Sequence, residues 1–361
     1  MSMNSAVFAG QVRNILSALE INVNRSMGRE FVPITPSLLH IETSSACNLK
    51  CCFCAYVKKQ SPKISMKNDF FKNCIDQAVD MGFRRLEMTP CTGDVFMDRH
   101  IFEKLEYLEQ KPELESYQFF TNFTIPKPDH IELLLRLKKL KHLSISIYGH
   151  DLDSFVAITK STEKVYKRLL SNLEYLLERL DRRTFKLDIG FRSTRDAPRG
   201  ACTDLLRLLE RFKRTGIPVR RSRLYNNWGG LVTQDDMKGL AIDITDANAV
   251  YKNGACALLF NRVQIMATGI VNGCACRDAE ATLRIGDMNK QPLCEILSNK
   301  NATYMNLIEE QQRGEFRPVC KSCDFYKSIY HFRSIYADGA VELRSIEQFK
   351  ISLDRPVKAA S

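Results

Sequence analysis

Three cysteines fall close together in the run Cys47-Asn48-Leu49-Lys50-Cys51-Cys52-Phe53-Cys54, spaced C-x3-C-x2-C with an aromatic just before the last. The run follows a strand-like stretch, Leu38-Leu39-His40-Ile41-Glu42. A chain carrying such a loop must fold so that the strand end holds the thiols together. Three thiolates this close can bind three irons of a [4Fe–4S] cube and leave the fourth iron open to a small molecule. The plainer alternatives are three buried thiols or part of a zinc site. Zinc takes a fourth ligand, and the nearest histidine, His40, lies within the strand.

Beyond the loop, apolar periodicity predicts regular alternation. Helices are expected at about Lys67–Met81, His100–Leu108, Pro128–Leu137, Thr162–Leu180 and Thr203–Arg214. Strands are expected at Arg85–Thr89, Tyr117–Thr121, His142–Tyr148, Phe185–Phe191 and Val219–Leu224. With the first strand this makes six strand–helix units, the signature of a parallel sheet, open or barrel-like, with helices outside. The chemistry of such barrels sits at the C-terminal strand ends, where the cysteine loop lies. Residues 5–22 place Val7, Phe8, Val12, Ile15, Leu16 and Leu19 near helical spacing, predicting a leading helix packed on the main domain. The alternation stops at Asn226-Asn227-Trp228-Gly229-Gly230, and Trp228, the sole tryptophan, is expected to pack between two domains.

Hydrophobic residues make up 44% of 361, enough for a sizeable core. No apolar run is long enough to span a membrane, and the N-terminus lacks the pattern of a signal peptide. The expected location is therefore cytoplasmic, where thirteen cysteines serve as metal ligands and buried thiols rather than disulfides. The net charge of +11, concentrated at Lys138–Lys141 and Arg211–Arg223, fits an anionic partner such as an acidic electron donor, or a solvated basic surface. The basic residues are not interleaved with aromatics as a nucleic-acid stacking platform requires, so nucleic acid is not expected as a partner.

A second cysteine set follows: Cys256, Cys274, Cys276, Cys294, Cys320 and Cys323. Phe260–Met266 reads as a strand, Thr268-Gly269 as a turn and Ile270-Val271 as the return, which brings Cys256 back beside Cys274. With the Cys320-Lys321-Ser322-Cys323 pair, two separated thiols complete four ligands for zinc or a second iron–sulfur cluster. Cys276 could replace one ligand or stand free, whereas Cys294 and Cys74 read as core thiols.

These motifs, in this order, resemble the radical S-adenosylmethionine (radical SAM) superfamily and its SPASM/twitch subfamily. The resemblance implies an α/β fold: a partial (β/α)6 TIM-type barrel over 38–225, followed by a small cysteine-rich twitch/SPASM-like auxiliary-cluster domain over 226–330. A helical extension over 1–37 and a tail over 331–361 complete the expected organisation. Cys47, Cys51 and Cys54 would hold the SAM-binding [4Fe–4S] cluster. Thr92-Gly93-Asp94 stands where the family has Gly-Gly-Glu, implying contact with the SAM amino group. Thr121-Asn122 and Ser144-Ile145-Ser146-Ile147-Tyr148-Gly149 match the ends of the third and fourth strands, and Ser146 and Arg192 match positions that hold the SAM carboxylate. Phe53 and Tyr148 would border the adenine or pack as aromatic core. Cys256, Gly269 and Cys274 fit the opening motif of the SPASM extension, and with Cys320 and Cys323 as the last cysteines the form is the shorter twitch. Cys256, Cys274, Cys320 and Cys323 would then bind one auxiliary [4Fe–4S] cluster.

The implied activity is reductive cleavage of SAM to a 5′-deoxyadenosyl radical that abstracts a substrate hydrogen atom. The leading expectation is dehydrogenation of a sugar-like or natural-product small molecule, with the auxiliary cluster accepting an electron and a flavodoxin- or ferredoxin-type donor supplying the first one. A peptide-modifying maturase is an alternative, as is an epimerase using Cys91 or Cys276 as hydrogen donor. Glu42 and Glu87 are expected to face the barrel interior.

Overall fold

The computed structural model describes residues 3–33, 38–88, 91–222, 224–246, 250–336 and 343–353, with side chains from residue 12 onward. Six parallel strands, β1 Leu38–Ile41, β2 Arg85–Glu87, β3 Ser116–Thr121, β4 Leu140–Tyr148, β5 Lys186–Arg192 and β6 Val219–Ser222, lie side by side in chain order. The expected Thr89 end of β2, Arg223 beyond β6 and parts of the C-terminal tail lie outside the described residues. Helices cross between the strands: α2 Asn68–Asp80, α3 Ile101–Gln110, α4 Pro128–Arg136, α5 Leu152–Thr159, α6 Glu163–Leu177 and α7 Asp204–Arg214, after a leading α1 Met3–Ser26.

The local reasons are ordinary ones. α2 buries Phe71, Cys74, Ile75, Ala78 and Val79, a single stripe at helical spacing, and Cys74 is a core thiol as expected. α4 starts with Pro128 in its first turn, where the missing N–H costs nothing. The single helix expected over Thr162–Leu180 is in fact preceded by α5, which sequence periodicity misses. α5 is only eight residues long, started by an Asp151–Ser154 capping box and ended by Lys160 in the left-handed region (φ 52°). Helices this short are specified by their caps more than by periodicity.

Alternation along the strands sorts the sheet into two faces. Leu86, Phe119, Leu143, Ile145, Ile147, Leu187, Ile189 and Phe191 are buried, each contributing roughly 2 kcal/mol of apolar burial. The opposite face is polar: Gln118 Nε2 donates to Glu87 (2.8 Å), and Ser144 Oγ donates to Asp188 (2.5 Å), which also lies 2.5 Å from His142. Glu87 thus faces that interior, as the sequence suggested.

The cysteine-rich hairpin of the C-terminal part extends the main sheet. β7 Gln264–Ile265 pairs parallel to β1, in register with His40 and Ile41, and β8 Ile270–Asn272 and β9 Arg284–Asp287 follow antiparallel. The hairpin is present, but its first strand is shorter than expected. Leu258–Asn261 is a helical turn, because Phe260 is drawn into an aromatic cluster 4.8 Å from Phe349. A longer helix, α8 Ala302–Gln312, leads to Cys320, which sits in the short helix Pro318–Lys321 rather than on a loop.

α1 departs from expectation. Val12, Ile15, Leu16, Leu19 and Val23 are exposed, while Ile21 and Asn24 are buried. The helix is held at its C-terminal end, where Asn24 Nδ2 donates to the Tyr330 carbonyl and Arg25 to that of Gln312. No helix among the described residues is long and apolar enough to cross a membrane.

Candidate active site and cysteine clusters

The three-cysteine loop leaves the C-terminal end of β1 and is pinned to α5: the Lys50 and Cys52 N–H groups donate to the Thr159 and Ile158 carbonyls (both 2.9 Å). Backbone N–H groups turn onto the sulfurs, Leu49 onto Cys47 Sγ and Tyr56 onto Cys54 Sγ (both 3.4 Å), and Asn122 Nδ2 approaches Cys47 Sγ at 3.7 Å. Burial, then the neighbouring Cys54, Cys47 and Cys52 thiols, push Cys51 well above its ordinary range. Burial, helped by Asp94 and Cys54, pushes Cys47 up to about 12. Such a set fits iron, which would hold the sulfurs as thiolates and supply the missing positive charge. Among the described residues no three His, Cys, Asp or Glu side chains converge closely enough for one metal ion; a cube is larger than an ion and its ligands ring it from farther apart.

Thr92-Gly93-Asp94 packs directly under this loop. Gly93 has φ 111°, and a Cβ there would lie 2.4 Å from the Ser44 carbonyl oxygen, so only glycine fits. The Asp94 N–H donates to the Ala46 carbonyl (2.8 Å). Its carboxylate is already committed: it accepts from the Phe96 N–H (3.0 Å), the Asn122 N–H (2.8 Å) and the Thr121 hydroxyl (2.9 Å), and Asp94 is 2% exposed. The shorter acid, set where a glutamate would reach out, ties the end of β3 to the loop instead.

On β4 and β5, Tyr148 is in register with Arg192 and Ser146 with Gly190, on the polar face. Phe53 stacks between Tyr148 (4.9 Å) and Tyr225 (4.5 Å). Burial pushes the Tyr148 hydroxyl up, with Cys51 close enough to add to it and Arg192 and Ser146 opposing. Ser146, Tyr148, Arg192 and Phe53 are therefore gathered beside the cysteine loop. Gly149 (φ 79°) closes the strand where a Cβ would strike the backbone of Phe155 at 2.4 Å.

A feature the sequence hinted at only weakly lies along the β1–β7–β8 seam. Glu42 continues β1, its N–H donating to the Ile265 carbonyl (2.8 Å). It is 1% exposed, neither carboxylate oxygen has a hydrogen-bond partner, and its nearest cation is Lys59 Nζ at 3.8 Å. Burial, against the pull of Lys59, raises its pKa to about 7. Beside it His40, Gln264 and Asn272 lie in register across three strands, each with an unpaired buried polar atom. Cys91 Sγ donates to Gln264 Oε1 (3.2 Å).

Cys256, Cys274, Cys276, Cys320 and Cys323 all line one apolar cavity with Leu258, Leu283 and Tyr326. Gln311 Nε2 donates to Cys320 Sγ (3.2 Å) and the Phe325 N–H to Cys323 Sγ (3.3 Å). Burial pushes Cys256 up to about 11 and Cys323 to about 12. Again the thiols gather around one cavity, and a set of cysteine thiols is the donor chemistry an iron–sulfur cluster takes. Cys294, expected in the core, is exposed, because its helical turn buries Leu293 and Ile296 instead. The two cysteine sites are bridged by Trp228: its indole N–H donates to the Phe53 carbonyl (2.9 Å), and Gly229 lies against Val319.

The model of the radical SAM superfamily matches residues 41–201, and that of the SPASM iron–sulfur cluster-binding domain matches residues 256–324. The chain belongs to the radical SAM superfamily. It carries the SPASM extension, and its cofactors are SAM, a [4Fe–4S] cluster and auxiliary iron–sulfur. Among solved structures it is similar to BtrN in complex with AdoMet and 2-DOIA (14% identity, 81% of this chain and 94% of that one, TM-score 0.52). It is also similar to Streptococcus suis SuiB bound to the precursor peptide SuiA (14%, 82% and 73%, 0.53). Native anSMEcpe with bound AdoMet and Kp18Cys peptide matches over 88% and 95% at 15% identity and TM-score 0.51. At these identities the likeness is one of fold. No curated protein matches the chain.

Proposed function

We propose that this radical SAM enzyme oxidises a hydroxyl-bearing carbon of a sugar-like or natural-product small molecule to a carbonyl. Cys47, Cys51 and Cys54 hold the cluster that binds SAM. The backbone at Thr92 and Gly93 faces the SAM amino group, with Asp94 as a positioning residue, and Ser146 and Arg192 hold the SAM carboxylate. Phe53 shapes the wall beside the adenine. When bound, cluster and SAM together supply the 5′-deoxyadenosyl radical that removes a hydrogen atom, and the auxiliary cluster at Cys256, Cys274, Cys320 and Cys323 supplies an acceptor for the remaining electron. The strongly basic chain suits an acidic flavodoxin- or ferredoxin-type reductant.

The observation that carries this reading is the buried Glu42 carboxylate, which accepts no hydrogen bond and lies 3.8 Å from Lys59, placed near the SAM-side loop and the hairpin that leads to the second cysteine set. Oxidation of an alcohol requires the hydroxyl proton to leave, and a buried carboxylate with a pKa near 7 is matched to accept it. Lys59, 3.8 Å away, already provides a cation, so a neutral hydroxyl suits the site better than an ammonium group. A specific second reading rests on Cys91: its S–H is buried and intact, donating to Gln264, so it still carries the hydrogen that an epimerase's donor thiol would give up.

The test is anaerobic turnover of the reconstituted full chain with SAM, a reductant and a panel of polyols, aminocyclitols and peptides in heavy water, read by mass spectrometry. Oxidation yields a product lighter by a pair of hydrogens, with irreversible loss of SAM. A product of unchanged mass carrying solvent deuterium replaces oxidation with epimerisation, and a modified peptide replaces it with maturation. Glu42→Gln is expected to slow product formation by roughly 100- to 10,000-fold, while iron content and SAM binding stay at the wild-type level.

A further inference from the structure

The cavity at the second cysteine set offers five thiols where a cube has four irons. Cys274 and Cys276 are separated by Ala275 at the end of β8, and both line the cavity with Cys256, Cys320 and Cys323. Some of the sulfurs in this protein accept hydrogen bonds and others donate them. Cys47, Cys54, Cys320 and Cys323 each accept an N–H, the pattern that surrounds a sulfur bound to iron and tunes its potential. Cys91 does the reverse and donates its S–H to Gln264 Oε1.

Cys276 belongs with the acceptors. Arg277 Nη1 donates to Cys276 Sγ at 3.2 Å. The guanidinium is fixed in turn by Asp324, whose carboxylate takes Arg277 Nε at 2.7 Å and the Asn227 N–H at 3.1 Å. Asp324 follows Cys323 directly, so the brace on Cys276 is built from the same loop that presents the C-x2-C pair. Cys276 and Arg277 are both partly buried, and the side chains of the Arg277–Asp324 pair are 17% and 2% exposed. A charge-assisted donor held this firmly is suited to a sulfur bearing negative charge, not to one that must keep its hydrogen.

We propose that Cys276 is a ligand-competent thiol of the auxiliary cluster, so that the Cys274-Ala275-Cys276 segment offers two sulfurs for one iron corner. The inference rests on the auxiliary cluster in the proposed function. It assigns Cys276 to the cluster and leaves Cys91 as the only one of the two candidate hydrogen donors. Arg277 is a positioning residue for it.

The test uses the anaerobically reconstituted full chain, with iron and sulfide counts and the electron paramagnetic resonance spectrum of the reduced auxiliary cluster as readouts. Wild type first tests the underlying reading: if it holds only the SAM-binding cluster, that reading fails with this one. Given an auxiliary cluster in wild type, Cys274→Ala is expected to keep its iron with an altered spectrum, and Cys274→Ala with Cys276→Ala to lose it. Retention of the cluster by Cys274→Ala and its loss in Cys276→Ala would make Cys276 the resident ligand, which also upholds the proposal. Loss of the auxiliary iron in Cys274→Ala alone, with a thermal midpoint like that of wild type, would overturn it. Arg277→Met is expected to shift the auxiliary reduction potential in the variant that relies on Cys276; an unmoved potential there would remove Arg277 from the account.

Discussion

Gly93→Ala is expected to weaken SAM binding by on the order of a hundredfold and to lower the stability of the fold. The backbone at Gly93 (φ 111°) is in a region that costs a side-chain-bearing residue about 1–3 kcal/mol. The new methyl would also lie 2.4 Å from the Ser44 carbonyl oxygen, 2.9 Å from the Ser45 carbonyl carbon and 3.0 Å from the Ala46 carbonyl oxygen. All three are backbone atoms of the segment entering the cysteine loop, so none can turn aside as a side-chain tip would. Relief requires the loop and the strand end to separate. Displacing a binding group by an ångström is worth on the order of a hundredfold, and calorimetric titration of SAM into the reconstituted variant would measure it. Wild-type affinity in Gly93→Ala would show that the two loops do not pack as described.

Asp94→Ala is the second large effect, and it acts through a different link. Removing the carboxylate leaves the Asn122 N–H, the Phe96 N–H and the Thr121 hydroxyl without their acceptor in a site 2% exposed. Each buried donor left unsatisfied costs about 1–3 kcal/mol. The side chain of Asn122 also loses its footing, and with it the approach of Nδ2 to Cys47 Sγ and its bond to Asn48 Oδ1 (3.0 Å). The expected outcome is a lower thermal midpoint together with weaker SAM binding and a less stable cluster. Asp94→Asn, which keeps an acceptor oxygen, should recover part of the stability. A carboxylate that served only to grip the SAM amino group would instead lose affinity with no change in the thermal midpoint, and scanning calorimetry of the two variants tells these apart.

Much of this was legible because two periods dominate the chain. The alternation of apolar strands and amphipathic helices from Leu38 to Ser222 predicted six parallel strands in order, and the structure has them. The spacing of Cys256, Cys274, Cys320 and Cys323 pointed to thiols that the structure does gather around one cavity. What sequence missed is non-local. Nothing in Gln264-Ile265 announces that it will add to the edge of β1. The identity of Asp94 did not reveal that its short side chain would turn onto Asn122. The apolar residues of α1 have helical spacing, yet spacing alone does not say which face meets the core, and Ile15 and Leu19 ended exposed. Glu42 could be listed as a strand-end acid, but its lack of a hydrogen-bond partner is visible only in three dimensions.

The central claim is that the chain holds two separate iron–sulfur sites. Replacing Cys47, Cys51 and Cys54 together with Ala, then reconstituting the protein without oxygen and counting iron and sulfide, tests it most directly. Wild type should carry about eight irons and the triple variant about four, with the remaining cluster showing the spectrum of the C-terminal site and SAM binding lost. A triple variant with no iron at all would contradict the account, because the C-terminal thiols would then hold no cluster of their own.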